Sequence, residues 1–121
     1  GLFAPAAGEG SPAPGESVAP TEVPSDGILV VSAMAVKFEQ ASIELAADAP
    51  TQIRFHNMDV GIPHNVAIHE GTVDAVGVEL FQGEIFNGDD ERLYDIPPLA
   101  AGGYVFVCTV HPNMVGALTV K

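Results

Sequence analysis

The only cysteine of this 121-residue chain is close to a histidine and a methionine, in the order Cys108-x-x-His111-x-x-Met114. A thiolate, a neutral imidazole and a thioether are soft or borderline ligands, and together they favour copper over harder metal ions. The spacing fits a strand end followed by a tight turn, which Pro112 and Gly116 help the chain to make. The three residues therefore predict a copper site at this turn.

A site of this chemistry needs a second imidazole, and the chain has three further histidines. His64 has the strand parity of Val66 and Ile68, so we expect its ring to face the interior at a strand end. His69 has the opposite parity and is expected to face solvent, while His56 falls on the polar face of its own strand. The pattern selects His64 as the second imidazole ligand.

Each of these residues also has an ordinary structural explanation. A lone buried cysteine is most often a small core hydrophobe, and a methionine often fills a core. Copper sites can also use a glutamine or a backbone oxygen in place of a methionine sulfur, so a packing role for Met114 stays open. The argument for ligation is the coincidence of the Cys108 motif with the separate Pro63-His64-Asn65 element.

The remaining sequence consists of short strand-like runs separated by turn residues. Runs such as ILVVSAMAVKF, YVFVCTV and VGALTV are rich in β-branched and aromatic residues, with Gly, Pro, Asn and Asp between them. In TQIRFHNM, Ile53 and Phe55 fall on the face opposite to Arg54. Short strands at this spacing, without an amphipathic helix, predict an all-β sandwich or barrel. The stretch 71–90 fits a strand, a short helix or a long excursion between sheets.

Residues 1–25 differ in composition from the rest, since Pro, Ala, Gly, Ser and Glu dominate GLFAPAAGEGSPAPGESVAPTEVPS. Such a segment cannot bury enough apolar surface to offset its ordering entropy. We therefore predict a disordered, Pro/Ala/Gly-rich linker at 1–25 and one folded domain at 26–121. The linker suits a tether to a membrane anchor or another domain, although a spacer without a role has the same composition.

The formal charge is −12, from 16 acidic against four basic residues. Sustained binding to nucleic acid depends on clustered Lys and Arg, so this charge argues against a nucleic-acid partner. The acidic balance is compatible with a cationic partner and equally with solubility alone. No run approaches the roughly 18 consecutive apolar residues of a membrane-spanning helix.

Two segments resemble the cupredoxin family of type 1 blue copper proteins. FHNMDVGIPHN is similar to the family pattern F-x-N-x-D…P-H-N, and GGYVFVCTVHPNMVGALTV to the closing pattern G-x-Y-x-F-x-C-x-x-H-P-x-M-x-G. The two-residue gaps beside the histidine give a short ligand loop, most similar to amicyanins and less similar to plastocyanins or azurins. The resemblance covers residues from about 28 to 121 and implies a Greek-key β-sandwich.

The resemblance also implies roles for the site residues. His64, Cys108 and His111 would be equatorial ligands of one copper ion per chain, with Met114 as the weak axial ligand. In the family, the residue after the first histidine holds the segment that carries the cysteine. Asn65 would do so here by bonding to Thr109, and an ordinary turn asparagine is the alternative.

A copper ion held by four protein ligands has little room for substrate, so the predicted function is single-electron transfer and not catalysis. The redox partner, a cytochrome, oxidase or dehydrogenase, would dock near His111. The apolar patch expected there consists of Ile62, Pro63, Pro112, Met114 and Val115. The resemblance implies an extracytoplasmic protein, periplasmic or on the outer face of the cell membrane. We expect a monomer, which the tail could tether to that membrane.

Other functions stay open from the sequence. A copper carrier or chaperone could use the same ligands, although such sites are often methionine-rich and this chain has three methionines. The chain could also be an accessory domain of a larger membrane-bound redox complex. A catalytic copper domain needs further H-x-H clusters and a binuclear centre needs a second cysteine, and the sequence has neither. The last alternative is a β-sandwich without metal.

Overall fold

The computed structural model describes residues 28–121, which form a β-sandwich. The predicted linker at 1–25 lies outside the described residues. Within 28–121 there is no helix, and so none that could cross a membrane. The strands, numbered in chain order, are β1 (Ile28–Ala33), β2 (Ser42–Leu45), β3 (Thr51–Asn57), β4 (Pro63–His64), β5 (Ala67–Thr72), β6 (Ala75–Gln82), β7 (Phe86–Asn87), β8 (Asp90–Ile96), β9 (Gly102–Cys108) and β10 (His111–Val120).

The strands form two main sheets and one short pair. The strand order is β1-β3-β8 in the first sheet and β2-β10-β9-β5-β6 in the second, while β4 pairs with β7. β1 runs parallel to β3, and β10 runs parallel to β2, so strands distant in sequence become neighbours. The structure confirms the predicted all-β Greek-key sandwich.

The core lies between the two sheets and follows the period-two pattern of the strands. On β3, Ile53 and Phe55 are fully buried and Arg54 is exposed, as predicted. The ring of Phe38 packs between Phe55 of the first sheet and Phe106 of the second, with centroid distances of 6.2 and 4.8 Å. Close aromatic packing of this kind fixes the separation of the sheets and so the positions of the strand ends.

The stretch 71–90, whose structure the sequence left open, contains most of a hairpin and a short strand. β6 pairs antiparallel with β5, and the register shifts on both sides of His69. β6 is an edge strand of the second sheet and is exposed along nearly its whole length. The chain then reaches β7, which pairs with β4 and positions Pro63 and His64.

The parity argument for His64 assumed that the run HNVAIH, residues 64–69, is one strand, but the structure divides this run between two strands. β4 ends at His64 and β5 begins at Ala67, because β4 pairs with β7 whereas β5 pairs with β6 and β9. Every residue from His64 to Ile68 is buried, so alternation does not distinguish the two faces here. His64 is buried as predicted. The cause is not strand parity, because the protein covers this segment on both sides.

Candidate metal centre

The hairpin of β9 and β10 carries three of the four predicted ligands. Cys108 ends β9, Thr109 and Val110 form the turn, and His111 begins β10 and pairs directly with Cys108. The register then shifts between His111 and Val115, where Pro112 has no N–H to donate to a ladder. The hairpin therefore presents the thiol and the imidazole side by side.

The donor atoms of Cys108, His64 and His111 converge. The Nδ1 atoms of the two histidines are 3.2 Å apart, and Sγ of Cys108 lies 3.7 Å from Nδ1 of His64 and 3.6 Å from Nδ1 of His111. A point in the plane of the three atoms lies about 2.0 Å from each of them, close to the bond length of about 2.0–2.1 Å between zinc and imidazole nitrogen. One first-row transition-metal ion fits between these donors.

Met114 is buried close to this cluster in the fold. Its side chain is 1% exposed and belongs to the same core cluster as Cys108. It lies in the segment of β10 where the register against β9 shifts. The thioether is thus directed into the protein, on the strand that begins with His111.

His64 is fully buried and approaches the cluster from a different part of the chain. Pairing of His64 with Phe86 anchors its backbone, and its Nε2 lies 2.7 Å from Oδ2 of Asp59. The ring therefore uses Nε2 for the carboxylate and turns Nδ1 towards Cys108 and His111. A histidine that binds metal commonly has its other ring nitrogen held in this way.

Comparisons with known proteins identify the family of this chain. The family model of the cupredoxin-like domain matches residues 17–120. Amicyanin from Paracoccus versutus is 34% identical over 104 residues, which cover 86% of this chain and 72% of the relative. The chain belongs to the cupredoxin-like family.

Solved structures share the fold of this cupredoxin. Amicyanin from Paracoccus versutus has a TM-score of 0.56 at 34% identity, covering 82% of this chain and 85% of its own. Dithionite-reduced auracyanin from Roseiflexus castenholzii has a TM-score of 0.68 at 16% identity, covering 78% of this chain and 97% of its own. Auracyanin A from Chloroflexus aurantiacus, a "blue" copper protein, has a TM-score of 0.66 at 18% identity, covering 78% and 98%. At these identities the auracyanins support the fold alone.

Asp59 of this cupredoxin is a site residue that sequence reasoning missed. Its carboxylate is 8% exposed and accepts hydrogen bonds from His64 and from the amides of Ala35 and Val36. Burial by itself raises the pKa of Asp59, but these hydrogen bonds outweigh it and lower the pKa below its usual value of 3.8. The available signal was its place in F-x-N-x-D, five residues before His64.

Asn57 holds the loop that carries Asp59. Its Nδ2 donates to the carbonyls of Ile62 and Phe86 at 2.8 and 2.9 Å, and its Oδ1 accepts from the amide of Asp59 at 2.9 Å. Asn57 is fully buried, so these hydrogen bonds satisfy polar groups of the loop that water does not reach. The asparagine of the F-x-N-x-D pattern thus fixes the approach of the chain to His64.

Asn65 connects the histidine segment of the cupredoxin to the cysteine hairpin. Its Oδ1 accepts from the amide and the hydroxyl of Thr109 at 2.9 and 3.2 Å, and its Nδ2 donates to the Gly83 carbonyl at 3.0 Å. The side chain is fully buried. The contact that the resemblance implied between Asn65 and Thr109 is therefore present in the structure.

The other two histidines lie outside the donor cluster. Nε2 of His56 lies 2.6 Å from Oδ1 of Asp89 on the surface, in keeping with its predicted place on a polar face. His69 was expected to face solvent, but its side chain is only 17% exposed and Nδ1 lies 2.9 Å from the Gly77 carbonyl oxygen. The register shifts beside His69 turn the ring against β6, which explains the difference.

The predicted apolar patch is present only in part. Pro63 and Pro112 are exposed, and Ile62 and Val115 are half-buried. Met114 is buried and so contributes no surface, because its side chain is turned towards the core. The rim of the site in this cupredoxin consists mainly of the loop before His64 and the segment around Pro112.

Proposed function

We propose that this cupredoxin binds one copper ion per chain and transfers single electrons between redox partners. His64, Cys108 and His111 serve as equatorial ligands and Met114 as the weak axial ligand. A His₂Cys set with a weak axial thioether is the donor combination of blue copper electron-transfer sites. When bound, copper supplies the Cu(I)/Cu(II) couple.

The convergence of the three donor atoms is the observation that carries this proposal. Nδ1 of His64, Nδ1 of His111 and Sγ of Cys108 lie 3.2–3.7 Å apart, which supports the binding of a single metal ion by these three residues. This cluster differs from a chance grouping of exposed acidic residues, because His64 and Cys108 are buried and His111 is half-buried. Ligands already held in position need to move little when the charge of a bound ion changes.

The same geometry favours an electron carrier over an enzyme. His64 and Cys108 are 0% and 2% exposed, so the protein closes the site on the core side. His111 is half-buried and follows the turn, which makes its ring the part of the site nearest to solvent. Electrons would enter and leave through this ring, beside the exposed Pro63 and Pro112.

We infer a protein partner for this exchange, such as a cytochrome, an oxidase or a dehydrogenase. A small apolar rim around His111 suits brief docking, since carriers of electrons form small and weak interfaces. The similarity to amicyanin supports an extracytoplasmic setting, periplasmic or at the outer face of the cell membrane. Residues 1–25 would tether the monomeric domain there.

Visible and electron paramagnetic resonance spectra after copper addition test the proposal. We expect one copper per chain and an intense thiolate-to-copper band, which Cys108→Ser abolishes because a hydroxyl cannot replace the thiolate. His111→Ala should weaken or remove the band, whereas the matched control His56→Ala should keep it. A colourless protein that releases copper readily to a chelator would favour metal handling, and a band that survives Cys108→Ser would disprove the ligand assignment.

A further inference from the structure

We propose that Asp59 is a positioning residue that fixes the tautomer of His64 and lowers the reduction potential of the bound copper. The inference rests on the proposed function and deepens it. It concerns a carboxylate behind the ligand, on the far side of the imidazole from Cys108.

The contact between Asp59 and His64 determines which ring nitrogen carries the proton. Oδ2 of Asp59 lies 2.7 Å from Nε2 of His64, and the two side chains are 8% and 0% exposed. An ionised carboxylate only accepts hydrogen bonds, so Nε2 must donate. The lone pair of Nδ1 is then directed at the position between Cys108 and His111.

The carboxylate is itself held in place by a turn from a distant part of the chain. Oδ1 accepts from the amide of Ala35 at 2.7 Å, and Oδ2 accepts from the amide of Val36 at 2.9 Å. Both residues have φ of 56°, a left-handed conformation that residues with a side chain rarely adopt. Two successive amides directed at one carboxylate fix its position and orient it towards His64.

The same turn reaches the second ligand segment. The Val36 carbonyl accepts a hydrogen bond from Nδ2 of Asn113 at 3.1 Å, and Asn113 lies between His111 and Met114. Asp59 therefore contacts His64 directly and, through Val36, the hairpin that carries the other ligands. One buried carboxylate connects both halves of the site.

A negative charge hydrogen-bonded to a ligand imidazole has a definite effect on the copper couple. It raises the basicity of the imidazole, and loss of such a partner typically costs 10–100-fold in metal affinity. The added electron density stabilises Cu(II), the more highly charged state, more than Cu(I). Asp59 should therefore keep the reduction potential lower than a neutral acceptor would.

Asp59→Asn tests this inference because it removes the charge and keeps a similar shape. We expect Cu(II) affinity to fall at least tenfold more than Cu(I) affinity, measured by competition with chelators. A tenfold difference corresponds to a rise of about 59 mV in the potential of a one-electron couple, measured by voltammetry. The matched control is Asp89→Asn, which neutralises the surface pair with His56 at 2.6 Å and should leave both values unchanged.

The outcomes separate a positioning role from a merely structural one. An Asp59→Asn protein that loses stability but keeps the wild-type potential and affinity ratio would overturn the inference. If that variant does not fold, nitrogen NMR of the metal-free wild type decides, since we expect Nε2 of His64 to carry the proton that faces Asp59. An Nδ1-protonated ring would overturn the inference. The NMR result does not depend on copper, so it stands apart from any failure of the proposed function.

Discussion

At the scale of single residues, two buried asparagines hold the segments around His64 and Cys108 in position. Asn65 and Asn57 are both fully buried, and each uses its amide oxygen and nitrogen to join segments distant in the chain. Such contacts are costly to break because a buried donor or acceptor is left unpaired. In this protein Asn65 links the segment of the proposed ligand His64 to the hairpin of Cys108, and Asn57 holds the loop before His64.

Asn65→Ala should therefore destabilise the metal-free protein by about 2–3 kcal/mol, because the Thr109 amide and the Gly83 carbonyl lose their partner. Urea unfolding measures this change. Gln52→Ala is the matched control, since Gln52 makes a single exposed hydrogen bond to Asp95, and it should cost less than about 0.5 kcal/mol. Equal costs for the two variants would contradict a linking role for Asn65.

At the scale of elements, the hairpin of β9 and β10 packs closely on the core. This close packing explains why the closing motif has a glycine at position 116. Gly116 is paired with Phe106 across the two strands and is buried against the Phe106 ring. A Cβ at Gly116 would overlap that ring and press on the Ala41 carbonyl. The absence of a side chain at Gly116 thus allows strand β10 to lie against the Phe106 ring of the core.

Gly116→Ala should destabilise the fold by about 1–3 kcal/mol, the usual cost of overpacking a core. Gly103→Ala on the neighbouring strand β9 is the control, because a Cβ there meets no atom within 4 Å. Thermal unfolding of the metal-free variants compares the two. A Gly116→Ala protein as stable as the Gly103→Ala protein would show that the Phe106 ring moves aside freely.

The sandwich as a whole depends on aromatic groups that join its sheets and loops. Tyr94 is 5% exposed, and its ring is stacked against Phe55 and packs edge-to-face with Phe81. Its hydroxyl donates a hydrogen bond to the Glu84 carbonyl at 2.6 Å. Burial raises the pKa of Tyr94 well above its usual value of 10.0. The folded protein therefore holds this proton at a pH where the unfolded chain releases it.

The consequence is a loss of stability in alkali. Below pH 10 the hydroxyl is protonated in both states, and above it only the unfolded chain ionises, so unfolding becomes more favourable as pH rises. We expect the wild type to lose up to about 1.4 kcal/mol more per pH unit above pH 10 than Tyr94→Phe. Urea midpoints between pH 8 and 11 measure this, and parallel curves for the two proteins would refute it.

The sequence by itself determined the strand-rich fold, and its resemblance to a family implied the contact of Asn65 with Thr109 and the ligand set that we propose. These follow from local patterns, such as alternation in β3, and from motif spacings that resemble a known family. Local patterns were insufficient at His64 and His69, where a change of strand partner and two register shifts replace simple parity.

Only the tertiary structure decided the contacts of Asp59 and the burial of Met114. The amides of Ala35 and Val36 lie 24 and 23 residues from Asp59 in the chain. No period along a strand encodes such a contact, because it depends on the pairing of β1 with β3, which brings the loops after these two strands together. Donor types and their spacing are properties of the sequence, whereas the carboxylate behind a proposed ligand depends on which strands become neighbours in the folded protein.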